Sequence, residues 1–456
     1  VSGSDHRAAG TDARVCSTAD LATEGAVMRL SRRELLMGSV AAGLAACSRS
    51  PSQQRSLELW TLQLAPKFND YFADVLGVWQ QRHPAAAVRW TDLPWGSVER
   101  KLLAAVYART APDVVNLNPP FAANLASKGG LTDLTTLLPP HAADLYLPSV
   151  WDACRDADAG QIAIPWYLTV RLSLVNRRLI ERAGIDQPPR CWEQIPDFAR
   201  RIRERTGRYG LFITTVPDDS AELLESFVQM GVTLLDGQRR AAFDSPAGRQ
   251  AFRFWTDLYR QGLLPREVVS QGQRRAIELF QSGDLAMAAT GAEFLRSIQV
   301  NAPGIAAATE PHPPLTGPDG TANVAVMTLA VPQQSARAQE AVDLALFLTN
   351  AANQTRFAEQ ARVLPSSVDA LAAVRSSLEQ EQPSTEPERQ IRRARLLSAQ
   401  TLTQARVLVP ALPGIKRLQS IVYTQLQRAM LGQLSSDAAL GEAAREWNLY
   451  SQARWP

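Results

Sequence analysis

Strand-like apolar runs that alternate with amphipathic helical stretches predict an α/β protein whose sheets are mostly parallel and flanked by helices. Two further observations shape that expectation. The chain has 456 residues, more than one ordinary core holds, which fits two lobes. From Ala338 onward the pattern is almost entirely helical, with a polar interruption at Glu379–Glu388 that reads as a loop.

Each element follows from its residues. Leu57-Glu58-Leu59-Trp60 alternates with the period of a strand, and Phe68, Phe72, Val75 and Trp79 follow at helical spacing up to His83-Pro84. Val88 and Trp90 open a second strand, Val98–Arg109 carries a helical stripe, and Asp113-Val114-Val115-Asn116-Leu117 is a short apolar run between Pro112 and Pro119. The order is βαβαβ, whose ligands bind beyond the carboxyl ends of the strands. Arg171–Val175, Gly210–Thr214, Leu285–Ala289 and Val324–Val331 repeat the rhythm and predict a second sheet.

Apolar residues make up 45% and charged residues 20%, a globular composition. The formal net charge of +3 is small, and the basic residues are scattered among a similar number of acids, so no nucleic-acid footprint is implied. The densest basic runs, Arg200 to Arg208 and Arg392 to Arg395, read as solvated helix faces.

Residues 28–47 carry a charged start, the apolar stretch Leu35–Ala46, then small residues before Cys47. That order is an export signal, and its apolar part is far shorter than the ~20 residues of a membrane-spanning helix. Leu44-Ala45-Ala46-Cys47 resembles a bacterial lipobox, which makes Cys47 the expected lipid attachment site and the periplasm or the outer face of the cytoplasmic membrane the expected location. Arg32-Arg33 resembles a twin-arginine signal, so both export routes stay open. Residues 1–27 read as an upstream extension before a start at Met28, and residues 48–56 as a flexible spacer.

Of four cysteines, Cys154 and Cys191 fall in the body, where one disulfide and two free thiols are both open. His6, His83, His141 and His312 are scattered and no CxxC occurs, so no metal or cofactor is expected.

Four blocks resemble the extracytoplasmic solute-binding proteins of family 1, which include maltose-binding and glycerol-phosphate-binding proteins. They are Ala111-Pro112-Asp113-Val114-Val115; Ile164-Pro165-Trp166-Tyr167 with Leu172–Asn176, Ala183-Gly184-Ile185 and Pro188–Glu193; Phe280–Gly291; and Ala341–Asn350 with Asn353-Gln354 and Leu364-Pro365-Ser366. The resemblance runs from about Leu57 to Asn448. It implies a type II periplasmic-binding-protein fold, with 57–168 plus 289–334 in one lobe, 169–288 plus 335–456 in the other, and hinges at Thr169–Arg171, Met287–Gly291 and Ser335–Ala338. It further implies a monomer that binds a carbohydrate between its lobes and hands it to the permease of an ABC importer.

Sugar sites combine stacking aromatics with fixed hydrogen-bonding groups. Strand ends supply Trp60, Gln63, Trp95, Asn118 and Phe121, and the crossing supplies Trp166, Tyr167 and Arg171. Asp218, Asp219 and Glu222 follow the strand-like Leu211–Thr214. Where the family often has Pro-Trp after the glycine, this chain has Ala292-Glu293-Phe294, so Glu293 becomes an acceptor of hydroxyls or a partner for a cationic group, Phe294 an apolar surface, and a disaccharide or small glycoside a better fit than a long maltodextrin. Asn323 and Arg362 complete the set, while Trp79, Trp192 and Trp255 lie on helical stripes and read as core. Two alternatives stand beside this reading. Arg171 or Arg362 clamping a phosphorylated polyol is one, and an exported carbohydrate-active enzyme using Asp219 and Glu293 is the other. The chain has no GxSxG, no HExxH and no glycine-rich loop before any of its four lysines, so it is not expected to be an enzyme.

Overall fold

Leu57–Leu62 (β1), Val88–Leu93 (β2) and Val114–Leu117 (β3) pair in parallel in the order β2-β1-β3, the βαβαβ unit expected from their patterning. The computed structural model describes residues 56–156, 160–217 and 219–455, so the export signal, Cys47, the spacer up to residue 55 and Asp218 lie outside the described residues. Between β1 and β2 the helix Asn69–Arg82 turns Phe72, Val75 and Trp79 inward, and the Trp79 indole N–H donates to the Ala86 carbonyl at 2.8 Å. Burying the ring therefore leaves no unpaired donor.

The remaining strands are Arg155–Asp156 (β4), Gly160–Gln161 (β5), Ile164–Val170 (β6), Leu172–Asn176 (β7), Met287–Thr290 (β8), Thr309–His312 (β9), Ala322–Ala330 (β10), Leu364–Pro365 (β11) and Ala405–Arg406 (β12). The large sheet runs β11-β6-β10-β3-β1-β2, with β12 beside β10. β10 is antiparallel to both β3 and β6, because the chain re-enters this sheet from its opposite end after leaving the second lobe. The second sheet, β8-β7-β9, is small and antiparallel rather than mostly parallel. Gly210–Thr214 stays outside the named strands, and its neighbour Tyr209 reaches Leu285 through one parallel bridge.

The hydrophobic cores divide the chain differently from the sequence expectation. Leu172 through Leu315 and Val409 through Trp447 share one core, so residues 292–315 belong with β7, not with the first lobe. The helices Ala338–Leu348 and Ala351–Ala361 pack on β3 and β6, and Leu364 and Leu371 join the same lobe, so 338–371 is not part of the second body. The helix Glu386–Thr401 lies between the two cores, with Ile391 and Ala394 in one and Ala399 in the other. The core-to-core crossings thus fall at Arg171, between Leu315 and Ala322, and between Ala405 and Val409, instead of at Met287–Gly291 and Ser335–Ala338. Apolar burial, which favours each segment wherever its stripe is covered, decides this assignment.

Cys154 is buried in the first lobe, where its thiol donates to the Val150 carbonyl, and Cys191 begins a turn in the second; both are free. The disulfide that the sequence left open is therefore absent.

Candidate functional site

Alternation along β6 decides which of its side chains reach the interlobe cleft. Trp166, Leu168 and Val170 face the core while Tyr167 and Thr169 face the half-open side, as the period-two geometry of a strand requires. Arg171 is the single residue between β6 and β7, and Val324 and Ala325 of β10 lie beside Val170 and Thr169. The cleft floor is built where these strands cross from one lobe to the other.

The cleft holds about 820 Å³. Trp95, at the start of the helix Trp95–Tyr107, walls it from the first lobe, and Asp219, Gln273, Arg274, Glu293 and Phe294 wall it from the second. Trp95 is 44% exposed and Phe294 41% exposed. Two large aromatic side chains thus stand open to solvent on opposite walls, a use of apolar surface that a packed core would not leave uncovered.

Of the residues expected at the site, Trp95, Arg171, Asp219, Glu293, Phe294 and Asn323 line this cleft. Trp166 does not: it is fully buried, stacked on Phe357 at 5.1 Å and edge-on to Phe72. Phe121 is core, and Asn118 Oδ1 accepts the Phe121 N–H at 2.9 Å as the cap of the helix Pro119–Ala126. Trp60 is half-buried against the first-lobe clusters, and Gln63 is exposed just past β1 with a left-handed φ of 52°. Tyr167 is half-buried beside Trp166 and Phe357, and burial pushes its phenol up, with the nearby Asp92 and Glu293 carboxylates adding to the rise. Arg362 ends the helix Ala351–Ala361 in the left-handed region and borders a separate crevice with Arg395.

Asp219 also has a structural task. Its carboxylate accepts the Gln273 N–H at 2.6 Å at the start of the helix Gln273–Gln281, and a Cβ at Gly272 would meet its Oδ1 at 2.5 Å. The glycine lets the carboxylate come down onto the helix N-terminus.

A buried charge cluster lies behind the floor. The Arg171 guanidinium donates to Glu225 Oε2 at 2.5 Å and to Ser220 Oγ at 3.3 Å. Glu222, on the same helix three residues before Glu225, is buried, and its Oε2 has no hydrogen-bond partner. Burial pushes the Glu222 carboxyl up to about 7, Arg171 pulling the other way and Glu225 and Asp219 adding to the rise. Glu225 and Glu293 are also raised, burial being the main cause in each. Sequence reasoning named Glu222 but missed Glu225, Ser220 and Gln273. The i, i+3 spacing of the two glutamates on one helix face was the available signal.

Two lobes crossed by strands around an open cleft define a binding protein of the type II periplasmic class. The model of the bacterial extracellular solute-binding proteins matches residues 62–355, and the chain belongs to that family. A periplasmic-binding protein from Synechococcus sp. MITs9220, described as a candidate oligosaccharide binder, is 75% identical with a TM-score of 0.84, covering 88% of this chain and 100% of its own. A structure of the same description in complex with zinc is 76% identical with a TM-score of 0.85, again covering 88% and 100%. Among the described residues no three His, Cys, Asp or Glu side chains are grouped so as to hold a metal ion. The GacH receptor of Streptomyces glaucescens, solved unliganded and with acarbose, is 20% identical with a TM-score of 0.72 over 87% of this chain and 98% of its own, a likeness of fold. No helix among the described residues is long and apolar enough to cross a membrane.

Proposed function

We propose that this chain captures a small oligosaccharide or glycoside in the interlobe cleft and delivers it to the permease of an ABC importer. The observation that carries the reading is the pair of exposed aromatic side chains, Trp95 and Phe294, on opposite walls of a cleft rimmed by carboxylates and amides. Indole and phenyl faces stack on the C–H faces of sugars, and carboxylates accept paired hydroxyls. The 75% identical Synechococcus protein described as a candidate oligosaccharide binder supports the same substrate class. Closure is a hinge motion about the strand crossings, with the closed form read by the permease.

On this reading the chain works outside the cytoplasmic membrane as a monomer tethered through Cys47. Cys47→Ser is expected to move it from the membrane fraction to the soluble fraction without loss of sugar binding.

A thermal-shift screen of the purified chain tests the substrate class, because a molecule that binds only the native state raises the melting temperature. Neutral oligosaccharides are expected to give the largest shifts. Phosphate esters acting where free sugars do not would replace the reading with a phosphorylated polyol, and sugar turnover in the same samples would replace it with an exported enzyme.

A further inference from the structure

Two helices of the second lobe carry the cleft outward from its floor. The helix Gln273–Gln281 lines it with Gln273, Ile277 and Gln281, and the turn and helix after Gly291 line it with Phe294, Ser297 and Asn301. Spacings of three and four residues put each set along one face of its helix. Other faces of the same helices, with Ala276, Leu279 and Phe280 on one and Leu295 and Ile298 on the other, are buried in a single core. Both walls of this trough therefore belong to one lobe, and its shape does not depend on closure. The helix Leu295–Asn301 has seven residues and is about 10 Å long, more than one sugar ring needs.

The trough is neutral in effect and able to bond hydroxyls. Its charges are taken up between themselves, Glu278 being paired with Arg274 at 3.4 Å and with Arg275 at 3.3 Å. Ser297 Oγ accepts the Asn301 Nδ2–H at 3.1 Å, which leaves the serine proton and Asn301 Oδ1 available. The Gln281 carboxamide makes no hydrogen bond among the described residues, and Gln281, Ser297 and Asn301 all keep surface open to solvent. Donors and acceptors thus stand beyond the exposed ring of Phe294, where the trough meets the floor.

We infer that this trough is a second sugar subsite, in which Gln281, Ser297 and Asn301 hold the hydroxyls of the ring that follows the one stacked on Phe294. The preferred ligand is then a neutral oligosaccharide of at least two rings and not a monosaccharide. The inference rests on the carbohydrate reading proposed above, to which it adds the length of the ligand.

The test is calorimetric titration of the full chain with glucose, maltose, maltotriose, cellobiose and cellotriose. In the series that binds, the longer sugars are expected to bind at least about tenfold more tightly than glucose, the scale of one further stacked and hydrogen-bonded ring. Gln281→Ala combined with Asn301→Ala is expected to cut that ratio by about fivefold to tenfold. Ser297→Trp, which fills the trough, is expected to cut it likewise, with circular dichroism confirming that both variants are folded. A wild type that binds glucose as tightly as the trisaccharides, or a ratio that survives in both variants, overturns the inference and leaves the carbohydrate reading intact. Failure of all five sugars to bind overturns both, whether or not phosphate esters bind in their place.

Discussion

Lys416 and Glu99 form an ion pair that ties the helix Ile415–Met430 of the second core to the helix Trp95–Tyr107 of the first. Both side chains remain partly exposed, so the pair contributes only about 0.2–1 kcal/mol, but it acts on the relative position of the lobes. Lys416→Glu is expected to weaken sugar binding by about threefold to tenfold through faster release, with little change in melting temperature. Combining it with Glu99→Lys should restore most of the loss, as a double-mutant cycle measured by stopped-flow fluorescence would show.

Trp95→Ala removes an exposed indole from the cleft wall and touches little of the core. It should weaken sugar binding by at least ~1 kcal/mol, the scale of one lost stacking contact, while the urea midpoint stays near that of the wild type. Phe294→Ala is expected to behave in the same way from the opposite wall. Unchanged affinity in both variants would remove aromatic stacking from the site.

Trp166→Ala should do the reverse. The ring is fully enclosed by Phe72, Tyr167 and Phe357, and truncating such a side chain costs about 3–5 kcal/mol through lost burial and the cavity left behind. Urea denaturation is expected to show the destabilisation even without sugar, which would separate this tryptophan from Trp95.

The contrast between these tryptophans shows what the sequence could convey. β1 to β3 were legible because period-two and helical stripes report burial directly, as Leu57, Leu59 and Trp79 show. The cleft lining was legible where chain order alone sets position, as at Arg171 on the crossing and at Glu293 and Phe294 after the glycine. It was not legible at Trp166, because motif position says that an aromatic lies near the crossing but not which face of β6 carries it. Phe121 failed for a related reason: Asn118 starts a helix at the strand end, and that helix rolls its first aromatic inward. The lobe boundaries needed long-range packing, since nothing local reveals that residues 292–315 cover β7.

The buried pair of glutamates gives a final prediction about stability. A carboxyl raised to about 7 in the folded chain, against an ordinary value of 4.5, binds its proton more tightly folded than unfolded. Its contribution is therefore fully present below about pH 4.5 and is lost as pH rises through 7. At pH 8 the wild type carries an ionised Glu222 whose Oε2 is unpaired, and Glu222→Gln relieves it of that charge. Without sugar, the variant should be more stable than the wild type by about 1–3 kcal/mol at pH 8, and the two should converge near pH 5. Guanidinium denaturation at the two pH values measures the difference. Equal stabilities at pH 8 would mean that a donor already satisfies the Glu222 carboxylate, which the unpartnered oxygen beside Arg171 argues against.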